Sequence, residues 1–378
     1  MRIKTHDKRL YPRGPRKRAP DSPLAGLRLL LHGVPSLPKP GRRSDAPREA
    51  TRMNEPLAQI VETELLNNLE DAERLGICLV PMSRSERSLF RRRLEDGLLV
   101  RPRLGCYARG EYWESLGERA RLTHVVRTLG MRHPTWVFSH ATAAFCHGFE
   151  VTYRLVSPIH YLTRQRGGGN AGGGLAHHRA DLFEWGTFGD IKLTSPLRTV
   201  FDCLCTYPLQ QCLPIADSAV RSGAVRLEEL RAYVKRAERT RGIEAARRAV
   251  ALVDPRAESG AESAMRATLV ECRIPIFDLQ FSVPDPEESW RTFRIDIVVT
   301  RPDGGRVAVE VDGKGKYDDE SMTQGLEPTE VRMRERQREA RVTACGMPVA
   351  RFSASDVCKT RLVLRRLAAY GVVPATSA

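Results

Sequence analysis

A chain of 378 residues with 41% hydrophobic residues has room for two or three domains, so its composition excludes a wholly disordered protein. Its formal net charge of +15 favours a polyanionic partner over an acidic small substrate. No apolar run is long enough to predict a membrane-spanning helix, so a membrane partner is not expected.

Residues 1–52 carry much of the positive charge, with 14 Lys and Arg against 4 Asp and Glu, and they hold 8 of the 24 prolines. They lack a long periodic pattern, so we expect this segment to be disordered. Met53 begins MNEPLAQIVETELL, a natural beginning for a folded domain. Two candidate starts, Met1 and Met53, are therefore left open.

The segment 53–115 has the element order of a winged helix. Apolar residues between 57 and 66 recur at helical spacing, and Ser83 with Glu86 marks a second helix, SRSERSLFRRRLEDGLL, which ends at Gly97. The following LLVRPRLGCYA predicts two short strands around a basic turn. Helix, turn, helix and β-wing together predict a winged helix-turn-helix.

In that fold the second helix enters the major groove of double-stranded DNA and the wing contacts phosphates. The predicted DNA-binding residues are Arg84, Arg87, Ser88 and Arg91 on the helix, with Arg101 and Arg103 on the wing. The alternative is that the run of three arginines at 91–93 is only a solvated helix face.

The middle segment, 116–253, reads as a mixed α/β region with several site-like polar residues. Ser139, His140, His147 and Arg198 belong to this group. A Ser-His pair without an identified acid is weak support for nucleophilic catalysis, and packing explains these residues well.

Two further stretches of the middle segment are better explained by structural roles than by a catalytic or metal-binding role. His177-His178 follows a glycine-rich stretch without a phosphate-loop pattern, and nothing in the spacing supports a metal site there. Residues 208–253 are predicted to be helical, with a break at Gly223. Nine cysteines, an odd number without a CxxC pair, predict reduced thiols and a cytoplasmic location, and the 203–212 cysteines are expected in the core.

The C-terminal segment, 254–378, places three carboxylates on two consecutive predicted strands. RIDIVV and RVAVEV are rich in β-branched residues, and the PDGG between them is a turn, so we expect a hairpin. Asp296 lies on the first strand, and Glu310 and Asp312 lie on the second. Side chains at the same end of a sheet can form an oxygen-rich site for Mg²⁺, which activates water and stabilises phosphorane charge.

The alternative is that these acids are the solvent-facing members of alternating strands. Glu310 and Asp312 share a face with Ala308, and three valines occupy the other face. Neither strand is therefore polar along a whole face. Acids isolated among apolar neighbours need a partner or a metal, because unpaired burial of charge is costly.

The flanking elements extend this pattern. Glu262 could place a fourth acid over the same sheet edge, although Ser259 with Glu262 also fits a helix-capping box. Residues 330–344 predict an arginine-rich helix, 348–352 a strand, and a last helix opens near Ser353. The predicted order is helix, hairpin, helix, strand, helix.

Residues 258–370 resemble the restriction-endonuclease-like domain of the PD-(D/E)xK superfamily, in the branch related to very-short-patch repair endonucleases. The resemblance implies an α/β domain with an acidic cluster. The usual motif ends in acid-x-lysine, whereas Asp312 stands two positions after Glu310 and the nearest lysines are Lys314 and Lys316. The candidate catalytic residues are Glu262, Asp296, Glu310, Asp312 and Lys314, and the candidate Mg²⁺ ligands are Asp296, Glu310 and Asp312.

The N-terminal half is similar to a second family. SRSERSLFRRRLEDGLLVRPRLGCYA resembles the winged helix of the bacterial type IV, abortive-infection (AbiE-type) antitoxin family, and FSHATAAFCHGFEV and TSPLRTVFDCL resemble phrases of its actinobacterial members. Those members often carry a nuclease-like C-terminal domain with DGKxKY, here DGKGKY. The resemblances span about residues 57–370, and imply a transcriptional autorepressor that neutralises a nucleotidyltransferase-like toxin.

Two functions follow from these patterns. The first is a DNA-binding transcriptional regulator, antitoxin-like, whose C-terminal domain holds nucleic acid or a partner without cutting. The second is a Mg²⁺-dependent DNA endonuclease that the winged helix directs to its target. The absent acid-x-lysine favours the first.

Overall fold

The computed structural model describes residues 55–103, 105–163, 169–170, 173–179, 185–288, 290–312 and 328–375. The segment predicted to be disordered and Lys314 lie outside these residues. The chain divides into two compact units, 1–117 and 118–378, and the predicted middle and C-terminal segments both belong to the second. The described residues are mixed α and β, as predicted, and they form three sheets. None of their helices has the length and apolar character needed to cross a membrane.

The first unit is built from two helices and a hairpin. Its elements are α1 (Glu55–Leu75), α2 (Arg84–Glu95), β1 (Leu99–Arg103), β2 (Cys106–Arg109) and the short α3 (Gly110–Ser115). Helix α2 begins where predicted, because the Ser83 hydroxyl accepts the Glu86 amide at 3.1 Å and the Glu86 carboxylate accepts the Ser83 amide at 2.9 Å. This reciprocal pair satisfies two amide donors at the helix start. Gly97, at φ +78°, follows the helix end.

An apolar core holds α1, α2 and the hairpin together. It contains Leu65, Leu69, Leu89, Phe90, Leu99 and Tyr107. The Phe90 and Tyr107 rings meet edge to face at a centroid distance of 5.0 Å. Leu79 pairs with Tyr107 through two backbone hydrogen bonds, which attach the segment between the helices to the hairpin. Because one face of α2 is fixed in this core, the opposite face is directed to solvent.

The second unit begins with a six-stranded sheet and a layer of helices. Its first elements are α4 (Glu118–Arg132), β3 (Val137–Phe138), α5 (His140–Cys146), α6 (Tyr153–Val156), β4 (Ile159–Thr163), β5 (Gly169–Asn170), β6 (Leu175–Arg179), β7 (Trp185–Phe188) and β8 (Ile191–Thr194). The strand order is β5-β6-β4-β3-β8-β7, with β4–β6 and β3–β8 parallel. Strand β4 therefore lies between β3 and β6 in the sheet.

Four helices follow the sheet, and the last three of them lie in the stretch 208–253 that was predicted to be helical. The four helices are α7 (Pro196–Thr206), α8 (Leu209–Arg221), α9 (Leu227–Arg236) and α10 (Ile243–Val250). Gly223 takes φ +74° directly after α8, at the predicted break. Leu204, Leu213 and Leu230 are fully buried among these helices. All nine cysteines are free. Cys203 and Cys212 are buried in this layer, as expected, whereas Cys205 is only partly buried against it.

The last part of the second unit contains a four-stranded sheet. Its elements are α11 (Gly260–Glu271), β9 (Ile276–Pro284), β10 (Thr292–Thr300), β11 (Arg306–Asp312), α12 (Pro328–Ala344), β12 (Val349–Ser353) and α13 (Thr360–Ala368). The order is β12-β11-β10-β9, and the β11–β12 pair is parallel, whereas the others are antiparallel. The predicted hairpin is confirmed as β10–β11, with Gly304 at φ +83° in its turn. The predicted element order was incomplete, because it lacked β9, which pairs antiparallel with β10.

The two faces of this sheet are covered by different helices. Ile297, Val309 and their apolar neighbours pack with residues of α11 and α13, whereas Val298 and Ala308 pack with Val342 of α12. The last helix begins at Thr360 rather than near Ser353. The backbone turns after Ser353 because the Asp356 amide donates to the Ser353 carbonyl oxygen at 2.8 Å, and the serine hydroxyls of 353 and 355 bond to each other.

Helix α11 belongs to both cores of the second unit. Ala267 packs in the core of helices α7 to α10, and Met265 packs against the four-stranded sheet. Between them, the Arg266 guanidinium donates to the Asp217 carboxylate at 2.6 Å, with side chains 6% and 0% exposed. The helix is buried on all sides over residues 262–269, so it fixes the sheet to the helical layer.

Candidate nucleic-acid interface and acidic site

The predicted DNA-binding residues of α2 lie on one exposed face, here called the arginine row. The row consists of Arg84, Arg87, Ser88 and Arg91, all of them exposed. Their spacing of three, one and three residues keeps them on one side of a helix with 3.6 residues per turn. Leu89 and Phe90 are buried on the other side. The four residues therefore share one exposed face of the helix.

The three arginines at 91–93 differ in their surroundings. Arg91 and Arg92 are exposed, whereas Arg93 donates to the Glu62 carboxylate of α1 at 2.5 Å and to Asp96 at 2.8 Å. Hydrogen bonds to Glu62 and Asp96 raise the pKa of Arg93. Arg93 therefore holds α1 against α2. The reading of this run as a solvated face applies to two of its three arginines.

The hairpin continues the positive surface for one residue. Arg101 is exposed on β1, whereas Arg103 is only partly exposed and burial lowers its pKa. An arginine remains charged after such a shift, because its ordinary pKa is far above neutrality. Arg101 is thus the more exposed of the two hairpin arginines.

The acidic residues meet where β10 and β11 separate. The last paired positions of the hairpin towards this end are Ile297 and Val309, so Asp296 and Glu310 come next on adjacent strands. The Val311 amide donates to the Asp296 carboxylate at 3.1 Å. The Asp296 side chain therefore occupies the gap between the diverging strands, close to Glu310.

Two arginines neutralise Glu310. Arg338 of α12 lies 2.7 Å from one carboxylate oxygen, and Arg351, which is paired with Glu310 across β11–β12, lies 3.5 Å from the other. Burial raises the pKa of Glu310, and the two arginines oppose that increase. The nearby Asp296 adds to the increase because two like charges repel.

Asp312 and Glu339 share the second of these arginines. The Arg351 guanidinium lies 3.6 Å from Asp312 and 3.2 Å from Glu339. One partly buried guanidinium thus contacts three carboxylates, Glu310 included. The sequence did not reveal this, because Arg351 lies 41 positions beyond Glu310 and reaches it only through parallel pairing of β11 with β12.

Glu262 has both of the roles that its sequence allowed. Its carboxylate accepts the Ser259 hydroxyl at 2.8 Å, the Glu258 amide at 2.8 Å and the Gln280 side chain at 3.0 Å, and its own amide donates to Ser259. It also lies near Asp296, whose charge adds to the increase that burial causes in the pKa of Glu262. It caps α11 and faces the acidic edge of the sheet.

All four candidate acids are stabilised by donor groups of the protein. Glu310 and Asp312 pair with arginine, and Asp296 and Glu262 accept amide or hydroxyl donors. Among the described residues, these acids do not form a group of three whose ligand oxygens all lie within 4.8 Å of one another. Lys314, the remaining candidate, lies outside the described residues.

In the described part of the chain, three other side chains bring their ligand atoms within 4.8 Å of one another. They are those of His140, His160 and His178, in the six-stranded half of the second unit. The sequence had marked two of them separately and had missed His160, which lies inside the apolar strand IHYLT without any motif around it. Ser139, His147 and Arg198 do not belong to this group, although Ser139 lies beside it.

Comparisons with protein-family models, curated proteins and solved structures found no match for this chain.

Proposed function

We propose that the chain is a DNA-binding transcriptional regulator, similar to a type IV antitoxin, and that its first unit is a winged helix-turn-helix. The observation that carries the proposal is the arginine row on α2. The row lies on a helix that follows α1 and directly precedes a β-hairpin. In a winged helix, that arrangement sets the second helix into the major groove of duplex DNA, with the hairpin beside the phosphate backbone.

The charges around the row favour a polyanion. Between residues 84 and 103 the chain has seven arginines against three acids. Within the described residues, no ion pair uses Arg84, Arg87 or Arg91, so their guanidinium donors are not occupied by a carboxylate. A planar guanidinium can bind a phosphate or a guanine edge through two parallel hydrogen bonds. The row therefore provides both affinity and base contacts.

Salt-dependent DNA binding tests this proposal. The full chain is titrated with a fluorescent duplex at several salt concentrations, and the slope of log affinity against log salt is measured. For Arg87→Ala we expect weaker binding and a slope reduced by about 0.9, since each lost phosphate contact removes about that much. If Arg87 contacts a base instead, the variant loses sequence preference at one position.

Arg74→Ala is the matched control. It removes the same charge from the same unit, from a side chain that is 75% exposed and lies on α1 outside the row. Its affinity and salt slope should equal those of the wild type. Absence of salt-sensitive binding, or equal losses in Arg74→Ala and Arg87→Ala, would disprove the proposed interface.

In this proposal the C-terminal domain has a restriction-endonuclease-like fold and holds nucleic acid or a partner without cutting it. The order of a helix, three antiparallel strands, a second helix and a strand parallel to β11, from α11 to β12, supports the fold. The pairing of Glu310 with Arg338 and Arg351 supports the absence of cutting, because two guanidinium groups already occupy its oxygens. A nucleotidyltransferase-like toxin is the proposed partner on the basis of the family resemblance alone.

A Mg²⁺-dependent DNA endonuclease is the second candidate, and the adjacency of Asp296 and Glu310 at the end of the hairpin favours it. The described residues do not fit the ion as they are arranged, because Mg²⁺ needs near-octahedral oxygen ligands and arginine or amide donors take those oxygens here. We therefore derive no hydrolytic step through a metal.

Plasmid cleavage distinguishes the two candidates. The chain is incubated with supercoiled plasmid and Mg²⁺, Mn²⁺ or EDTA, alongside Asp296→Asn and the control Asp303→Asn, which alters an exposed acid of the hairpin turn. Nicking that needs the metal, is lost in Asp296→Asn and persists in Asp303→Asn would establish the nuclease. DNA binding without cutting in all three proteins is the result expected for the regulator.

A further inference from the structure

Three imidazole rings converge in the second unit, far from any element of the acidic site in sequence. His140 begins α5, His160 lies on β4 and His178 lies on β6. One nitrogen of each ring lies within 4.8 Å of a nitrogen of both others. The parallel pairing of β4 with β6 matches Leu162 to His178 and brings two of the rings onto neighbouring strands.

We propose that His140, His160 and His178 form a binding site for a transition-metal cation of the Zn²⁺ type, with one coordination position left for water or an external ligand. Imidazole nitrogen is a preferred ligand of zinc, and three protein ligands with an open fourth position are typical of sites that bind or activate a small molecule. Mg²⁺ and Ca²⁺ prefer oxygen ligands, so this donor set discriminates against them.

Hydrogen bonds from His140 and His160 to residues outside the cluster determine which nitrogen of each ring is left for a metal. The His140 Nδ1 lies 2.9 Å from the Ser139 hydroxyl, and the His160 Nε2 lies 3.3 Å from the Tyr207 hydroxyl. This leaves Nε2 of His140 and Nδ1 of His160 for a metal, together with Nε2 of His178, which lies 2.9 Å from the His160 Nδ1. Zinc-binding histidines regularly use the second ring nitrogen in this way, which fixes both tautomer and orientation.

The backbone at His140 supports a role beyond packing. This residue is buried and takes φ +51°, in the left-handed region that a residue with a side chain seldom adopts. Such a conformation is energetically unfavourable and is concentrated at functional sites. The strained backbone sets the His140 ring in a stack on the His178 ring, at a centroid distance of 3.8 Å.

Two of the three rings are withdrawn from solvent, since His140 and His160 are each 7% exposed. A metal is bound through the ring lone pair of a neutral imidazole. Because lone pairs lie in the ring plane, a metal at about 2.0–2.1 Å from each nitrogen requires the stacked His140 or His178 ring to turn towards it.

Metal titration of the full chain tests the site. Reduced, metal-free protein is titrated with Zn²⁺ by calorimetry, and the thermal unfolding temperature is measured with and without the ion. We expect one equivalent to bind and to raise the unfolding temperature, because a ligand that binds only the folded state stabilises it. The cobalt-substituted protein should show a tetrahedral spectrum without sulfur-to-metal bands, which excludes binding by the free cysteines.

His178→Gln and His177→Gln form a matched pair on β6. His177 points to the opposite face, where it bonds the Thr163 hydroxyl at 3.0 Å. We expect at least a tenfold loss of affinity in His178→Gln and none in His177→Gln. Tyr207→Phe, which keeps the ring and removes an outer partner, should weaken binding by about 10–100-fold.

Failure to bind Zn²⁺ in a one-to-one ratio would overturn the proposal, and so would cobalt spectra with sulfur bands. Equal losses in both β6 variants would also overturn it, since the histidine stack would then be a structural hydrogen-bond network. Circular dichroism of each variant confirms that it is folded before its affinity is compared.

Discussion

Asp217 is the residue whose removal should most clearly reveal how the second unit is held together. It lies on α8 with a fully buried carboxylate that pairs with Arg266 of α11 at 2.6 Å. The same side chain accepts the Asp254 amide at 2.9 Å. Asp217→Ala therefore leaves the buried Arg266 guanidinium without its carboxylate, although it still donates to the Leu252 carbonyl oxygen. It also leaves the Asp254 amide without this acceptor.

The expected loss follows from these contacts. Removing one partner of a buried ion pair costs about 3–5 kcal/mol, because the other charge stays desolvated. An orphaned amide costs about 1–3 kcal/mol, and the two losses overlap because they share one side chain. We expect the free energy of unfolding to fall by about 4–5 kcal/mol, measured by urea denaturation and followed by circular dichroism.

The control is Glu244→Ala, which breaks an exposed pair with Arg247 on α10 and should cost less than about 1 kcal/mol. The double variant Asp217→Ala/Arg266→Met should recover part of the loss, since no buried charge remains. A loss below about 1 kcal/mol in Asp217→Ala, or a double variant as unstable as the sum of the single ones, would refute the reasoning.

Two further predictions concern the helical layer and the sheet turn. Burial raises the pKa of Asp202 from 3.8 to about 6, against the opposing effect of Arg198, so the folded state binds this proton more tightly than the unfolded state. Its contribution to stability is present below about pH 4 and is lost as pH rises through about 6. In Asp202→Asn the unfolding temperature should therefore change less with pH over that interval. An unchanged slope of unfolding temperature against pH would contradict the raised pKa of Asp202. Gly242→Ala should lower the unfolding temperature more than Gly304→Ala. Both glycines take φ near +84°, but only at residue 242 would an added Cβ overlap a neighbouring atom, the Cys205 carbonyl oxygen. Equal losses in the two variants would indicate backbone strain alone.

Local rules explain why the sequence predicted so many elements. The reciprocal Ser83–Glu86 cap set the start of α2, the PDGG turn set the β10–β11 hairpin, and Gly223 marked the end of α8. These signals act between residues a few positions apart, so one stretch of chain contains them completely. The start of the last helix was wrong because hydrogen bonds around Ser353 favour a turn, and such side-chain competition is easily missed in a sequence.

The sequence by itself determined the exposed arginine row and the placement of acids on two adjacent strands, because helix and strand periodicity fix which side chains share a face. Only the tertiary structure decided what those acids contact. Parallel pairing of β11 with β12 brought Arg351 to Glu310, and packing of separate elements gathered three histidines into one cluster. Such contacts depend on the pairing and packing of distant segments, and no local pattern in a single sequence encodes the partner.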